Sequence, residues 1–454
     1  MKALACVISL GCSKNLVDSE VMVPQLLKLG YSMCPDPSEA SLILVNTCGF
    51  LKSAVTEALD TILELARHKV SGSCRLLVVT GCMVQRYGKK LLELLPEVDL
   101  FLGASHYQAL EESVQSHLRG NPRRLFIAPP RDLLTSDTPR LRSTGFFSAY
   151  LKIAEGCSNR CTFCLIPHLR GPYRSRTEGD VVGEAQRLAA EGVKEINLIA
   201  QDTTAFGSDR GERQGLVRLL ESLDRVDEID WVRLLYAYPD RVEGLLLRTM
   251  AQGRKITPYL DVPLQHCVPR ILKAMRGGDC LTDVEGFIED VRSAMPDVSL
   301  RTSLIVGFPG ETDRDFRDLC SFVERVGFDH AGVFEFSAEE GSRAARFPHA
   351  VDEDVSAERR HVLLDLQREI SRKRLERMVG RTVSVLVEGP HPETDLLLAG
   401  RMAGQAPEVD GSVIITRGKG ETGRIMQARI TAAHDYDVEA ELVPSPEDPG
   451  LGGP

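Results

Sequence analysis

The chain has 454 residues, 43% hydrophobic and 26% charged, with a formal net charge of -10. That length exceeds one ordinary core and predicts roughly two to four domains. The composition excludes collagen-like, disordered and disulfide-scaffold classes, and the acidity argues against a generic nucleic-acid binder, which needs basic patches to displace counterions from phosphate.

The N-terminal apolar run is short for an export signal, and SLGC lacks the Leu that a lipoprotein signal carries three residues before its cysteine. No apolar stretch approaches the roughly 20 residues that span a bilayer. The expectation is a cytoplasmic protein without a membrane partner. In that reducing compartment its twelve cysteines are core thiols, ligands or catalysts rather than disulfides.

The runs ALACVISL, SLILVN and RLLVVT read as buried parallel strands. Each precedes an amphipathic helical stretch: NLVDSEVMVPQLLKLG, FLKSAVTEALDTILELARHK and VQRYGKKLLELL. Three β-α units predict an open α/β domain over residues 1–127. In such folds ligands gather beyond the carboxyl ends of the strands. Cys12, Cys48 and Cys82 all fall there, one β-α unit apart, where a helix N-terminus favours thiolate. Any one of them alone is better read as a small buried residue. The shared register is what marks the three as a set. Cys6, Cys34, Cys74, Cys267, Cys280 and Cys320 lack it and are assigned to structure.

After a linker at 128–144 comes FFSAYLKIAEGCSNRCTFCLIPHLRG, with Cys157, Cys161 and Cys164 directly after a strand-like segment. This spacing suits three corners of a cubane iron-sulfur cluster with the fourth iron open. A structural zinc site completed by His168 is the alternative. Further strand signals follow in VKEINLIAQD, WVRLLYAYP, TPYLDVPLQ, SLRTSLIVGFPGE and HAGVFEFSAEEG, making six β-α units of a partial barrel or open parallel sheet over 145–379. Functional groups are expected at the strand ends: Cys157, Gln201-Asp202, Tyr236 to Tyr238, Gln265-His266, Gly307 to Glu311 and Ser337 to Glu340.

CSNRCTFC resembles the signature of radical S-adenosylmethionine (SAM) enzymes, and the upstream cysteine triplet resembles the added-cluster ligands of methylthiotransferases. The likeness covers nearly the whole chain. It implies two 4Fe-4S clusters, an auxiliary one on Cys12, Cys48 and Cys82 and a SAM-cleaving one on Cys157, Cys161 and Cys164. It further implies two SAM molecules per turnover, one donating methyl and one giving a 5'-deoxyadenosyl radical, with a low-potential electron donor. Phe163, Gln201, Tyr236 and the GFPGE turn (Gly307, Pro309, Gly310 and Glu311) are the candidate SAM contacts.

A charged helix, SAERRHVLLDLQREISRKRLERMVG, is expected to stop at Gly380. Alternating strands over 380–446 predict a small all-β barrel resembling the TRAM domain, and 447–454 reads as a disordered tail. TRAM domains commonly bind RNA, which implies a tRNA adenosine as target. This barrel, however, sets Arg381, Arg401, Arg417, Lys419, Arg424 and Arg429 against ten carboxylates, a net charge of -4. That balance weakens RNA affinity and suits a basic protein. GCSKNLVDSE and GRMAGQAPEVDG resemble the ribosomal-protein aspartate methylthiotransferases, whereas tRNA-specific relatives differ at Lys14-Asn15. The resemblance therefore implies β-methylthiolation of an aspartate of small-subunit ribosomal protein S-twelve. A tRNA methylthiotransferase and a zinc-stabilised nucleic-acid-binding protein are the alternatives.

Overall fold

The computed structural model describes residues 3–131, 133–277, 281 and 283–444. Cys280 and the tail at 447–454 lie outside the described residues.

The N-terminal sheet contains β1 (Ala3–Ser9), β2 (Tyr31–Met33), β3 (Leu42–Thr47), β4 (Leu76–Gly81), β5 (Leu100–Gly103) and β6 (Leu125–Phe126), in the order β2-β1-β3-β4-β5-β6. All its pairs are parallel. Every residue of β3 and β4 is buried, as strands covered on both faces require. The added strands β2, β5 and β6 have only two to four residues, too short for a periodic signal. The helical stretch expected after Cys82 is not one helix. Gly88 takes a left-handed φ of 52° and splits it into Cys82–Tyr87 and Lys90–Leu94.

Residues 128–144 carry no helix or strand among the described residues, yet they are fastened down along their length. Ser136 N donates to Asp180 Oδ1 at 2.6 Å, Arg140 pairs with both Glu20 (2.6 Å) and Glu184 (3.2 Å), and Leu134 is buried. The segment is a strap between the two α/β units.

The central unit has β7 (Ser148–Lys152), a two-residue antiparallel pair β8 (Ala154–Glu155) and β9 (Arg174–Ser175), then β10 (Glu195–Ile199), β11 (Trp231–Leu234), β12 (Ile256–Asp261), β13 (Ser299–Val306) and β14 (His330–Glu335). The six long strands pair in parallel and in chain order, β7-β10-β11-β12-β13-β14, without closing. This is the arrangement of an open partial barrel. Its main core lies between the strands and their crossover helices. On the other face, Tyr150, Ile199, Leu235 and Tyr259 share an apolar cluster with Val17 and Met22 of the helix Ser13–Lys28 and with Ala406. An N-terminal helix and a C-terminal loop thus both reach into this face.

The C-terminal strands β15 (Thr382–His391), β16 (Thr394–Met402), β17 (Val413–Arg417), β18 (Ile425–Ala433) and β19 (Val438–Leu442) form a closed barrel ordered β15-β16-β17-β19-β18. The helix before it, Glu353–Glu376, ends four residues short of Gly380, whose φ of 87° turns the chain into the barrel. Among the described residues, no helix is long and apolar enough to cross a membrane.

Candidate functional site

The first thiol triplet is built from three strand-end loops. Cys12 is the N-cap of the helix Ser13–Lys28, Cys48 follows β3, and Cys82 opens the helix after β4. A Cβ on Gly11 would come within 2.8 Å of Cys48 Cβ, and one on Gly49 within 2.6 Å of the Cys82 carbonyl oxygen, so only glycine lets the loops close this tightly. Asn15 fixes them further. Its amide nitrogen donates to the carbonyls of Leu10 and Thr47, both at 3.1 Å.

The second triplet sits on the loop after β8. Cys157 N donates to Gly171 O, and Thr162 N donates to Met275 O at 2.7 Å. Asn159 Nδ2 donates to Asp202 Oδ2 at 2.8 Å, and Asp202 also pairs with Arg241 at 2.6 Å. The Tyr238 hydroxyl hydrogen-bonds Cys161. This loop is therefore held by residues beyond the ends of β10, β11 and β12. Burial pushes the Cys82 and Cys157 thiols up to about 11 and Cys164 to about 12, and it also raises Cys48 and Cys161. The expectation that helix N-termini favour thiolate is outweighed at Cys48 and Cys82, and metal must displace the protons of all five thiols.

One buried network ties the first triplet to the central sheet. Arg170, six residues after Cys164 and 2% exposed, donates from Nε to Cys82 Sγ (3.2 Å), from Nη1 to Asp18 (2.7 Å) and from Nη2 to Asn15 Oδ1 (2.6 Å). Lys152 adds ion pairs to Asp18 and to Glu155, the latter at 2.5 Å. Neither Arg170 nor Lys152 was singled out in the sequence. A lysine inside the otherwise apolar SAYLK strand is the signal that was available, since a buried ammonium needs partners.

The candidate SAM contacts differ in how far protein packing and hydrogen bonds already engage them. Phe163 packs with Ile271, Met275 and Phe308, tying the cysteine loop to the GFPGE turn. Gln201 follows β10, and its buried Oε1 has no hydrogen-bond partner. His266 Nε2 is likewise unpartnered, and burial lowers its imidazole to about 4. Tyr236 has a φ of 59° and Gln265 one of 72°, so the ends of β11 and β12 hold backbone that side chains rarely adopt. Glu311 is buried, and its carboxylate accepts from Arg359 (2.9 Å) and Phe308 N (3.3 Å). Burial still holds it above the usual carboxylate range. Gly307 is demanded by packing, because a Cβ there would collide with Ser356 Oγ. Pro309 is also buried, which leaves Gly310, with a φ of 84°, as the part of the turn that solvent reaches.

Lys14 is 7% exposed, and its Nζ lies 3.1 Å from the centroid of the Tyr236 ring. Such a contact returns about 2 kcal/mol when desolvated, against several kcal/mol lost by taking an ammonium out of water.

The donor sets fit iron-sulfur clusters and SAM: two thiol triplets, each on its own strand-end edge, with orphaned polar atoms at Gln201 and His266. They do not resemble a closed zinc site. His168, the fourth ligand such a site would need, is exposed.

Three family models match the chain: the uncharacterized family UPF0004 over residues 5–103, the radical SAM superfamily over 151–323 and the TRAM domain over 379–443. A protein of Syntrophobacter fumaroxidans named ribosomal protein uS12 methylthiotransferase RimO is 64% identical over 439 residues, 97% of this chain and 98% of that one. The chain belongs to the RimO family of radical SAM methylthiotransferases. RimO proteins of Syntrophotalea carbinolica (97% of each chain covered) and Geobacter sulfurreducens (97% of this chain, 99% of that one) are each 46% identical. Among solved structures, the radical SAM methyltransferase TsrM of Kitasatospora setae aligns with a TM-score of 0.53 at 15% identity, over 73% of each chain, a likeness of fold. The GCSKN loop of a RimO protein is thus seen here as the meeting point of its two α/β units.

Proposed function

We propose that this protein methylthiolates the β-carbon of an aspartate in ribosomal protein uS12, in the cytoplasm. Cys12, Cys48 and Cys82 would hold the auxiliary 4Fe-4S cluster, and Cys157, Cys161 and Cys164 the SAM-cleaving one. When bound, these groups supply a sulfur, a methyl from one SAM, and a 5'-deoxyadenosyl radical from a second SAM and an electron of a low-potential donor, able to attack an unactivated C–H bond.

The observation that carries the reading is the Arg170 bridge. One guanidinium, on the helix that follows the second triplet, donates to a thiol of the first. Two-step sulfur insertion needs the site of hydrogen abstraction and the site of sulfur delivery held in one geometry, and effective concentration falls quickly with misplacement. Asn15 closes the auxiliary loops, while Lys152 and Asp18 lock that edge onto β7. Phe163, beside the second triplet, packs onto the apolar cluster that contains Ile271, Met275 and Phe308, and Gln201 would offer its unpartnered Oε1 to SAM. The same substrate name appears on the relatives, matched end to end.

Anaerobic incubation with SAM, a low-potential reductant and either uS12 or tRNA, read by mass spectrometry, tests the reading. A methylthio gain on uS12 is expected. A gain on tRNA alone would overturn it.

A further inference from the structure

We propose that the Lys14 ammonium is the binding site for the carboxylate of the acceptor aspartate. The inference rests on the uS12 reading above and deepens it.

Among the described residues the buried cations are Lys152, Arg170, Arg176, Arg233, Arg276, Arg359, Arg401 and Lys14. Every one except Lys14 has a carboxylate partner within 4 Å. Lys14 has only the Tyr236 ring beneath it. A protein interior does not ordinarily leave one ammonium without a counterion when all its neighbours have theirs. The missing partner is an anion that arrives with a ligand.

The surroundings say which anion. Lys14 stands two residues from Cys12 and against Tyr236, just beyond the end of β11, so it lies where the Cys12 loop meets the strand ends of the central sheet. The groups facing it are the Tyr236 ring and the Asp261 carboxylate at longer range. Asp261 does not neutralise it, being taken up by Tyr236 N at 2.9 Å and lying 3.9 Å from Arg301. The platform is rigid. Tyr236 N is held by Asp261, Tyr236 O accepts from Thr203 N, and its hydroxyl lies 3.4 Å from Ser13 Oγ.

An aspartate carboxylate seated on Lys14 puts the β-carbon one bond from the anchor. The reacting C–H is thereby fixed between the place where hydrogen would be removed and the Cys12 loop where sulfur would be delivered. A neutral base or an asparagine offers no such charge, so the same contact sets specificity for aspartate.

The test compares uS12 with a version carrying asparagine at the target position, using the latter as a competitive inhibitor, in wild type and in Lys14→Met. Wild type is expected to bind the aspartate form more tightly by on the order of 100-fold, and Lys14→Met to bind both alike. Iron content should be unchanged in the variant, with the loss falling on KM for uS12 rather than on KM for SAM. Lys14→Arg should keep the preference. A Lys14→Met protein that still prefers aspartate, or whose defect lies in KM for SAM, overturns the proposal. Loss of iron in both Lys14→Met and Lys14→Gln would assign the residue to the fold and overturn it as well. A wild type that leaves uS12 unmodified fails on the substrate reading instead, and takes this ligand with it.

Discussion

Arg170 Nε lies 3.2 Å from Cys82 Sγ, so a side chain of the central sheet's cysteine-bearing segment is a direct neighbour of an N-terminal thiol. The remaining guanidinium nitrogens satisfy Asp18 and Asn15, and Lys152 needs Asp18 in turn. Removing one member of such a buried set leaves the others charged and unpaired. Arg170→Met should cost about 3–5 kcal/mol, seen as a lower denaturant midpoint, whereas Arg170→Lys should recover only part of it because one ammonium nitrogen cannot reach acceptors spread around the three nitrogens of a guanidinium.

Cys12→Ala separates the two proposed clusters. Cys12 is the exposed member of the upstream triplet, and its side chain makes no capping hydrogen bond to its own helix. The variant should lose about half its iron and all methylthiolation, while SAM cleavage at Cys157, Cys161 and Cys164 continues. Iron analysis and 5'-deoxyadenosine assay check the pair of outcomes. Continued methylthiolation would remove Cys12 from the ligand set.

Much of this was legible in the sequence, and the limits are physical. Strands β3, β4, β7, β10 and β11 announce themselves because they are buried along their whole length, whereas β13 shows the alternation of a strand with one half-open face. The cysteines stand out by register with strand ends. Glu311 and Gly307 carry a different lesson. A GFPGE turn at a strand end reads as a ligand contact, and the structure adds that Glu311 also pairs with Arg359 and Gly307 also packs on Ser356, both from the helix Glu353–Glu376. Arg170, Lys152 and Asp18 went unmarked for the same reason: their meaning lies in one another, across 134 and 152 positions of chain.

Gly307 gives a direct check on that point. Its φ of 73° and the collision with Ser356 Oγ make two separate penalties. Gly307→Ala should destabilise by about 1–3 kcal/mol from the backbone alone, with the clash added. Combining it with Ser356→Gly should restore the steric part only. Thermal unfolding of the two single variants and the double variant reads the partition.

Glu195 predicts a pH effect. Burial by itself would raise its carboxyl, but Arg401 and Arg233 outweigh burial and hold it down at about 2. A folded value below the unfolded one means stability that is fully present above about pH 4.5 and is lost as pH falls toward 2. The contribution is about 3 kcal/mol. Glu195→Gln should therefore flatten the acid limb of the stability profile below pH 4.5 and leave its shape between pH 6 and 8 unchanged.

The C-terminal barrel is bolted on by residues of its own GRMAGQAPEVDG stretch. Arg401 reaches Glu195 at 2.5 Å, and Asp410 takes the Tyr259 hydroxyl at 2.7 Å and pairs with Arg301. With Ala406 in the shared apolar cluster, this loop is a plug rather than a hinge. Such a barrel cannot swing to deliver a captured partner, as an appended recognition module on a free tether would. The span from its surface to the strand ends is a fixed ruler, and the partner must supply the reach, as a protruding loop of a ribosomal protein can.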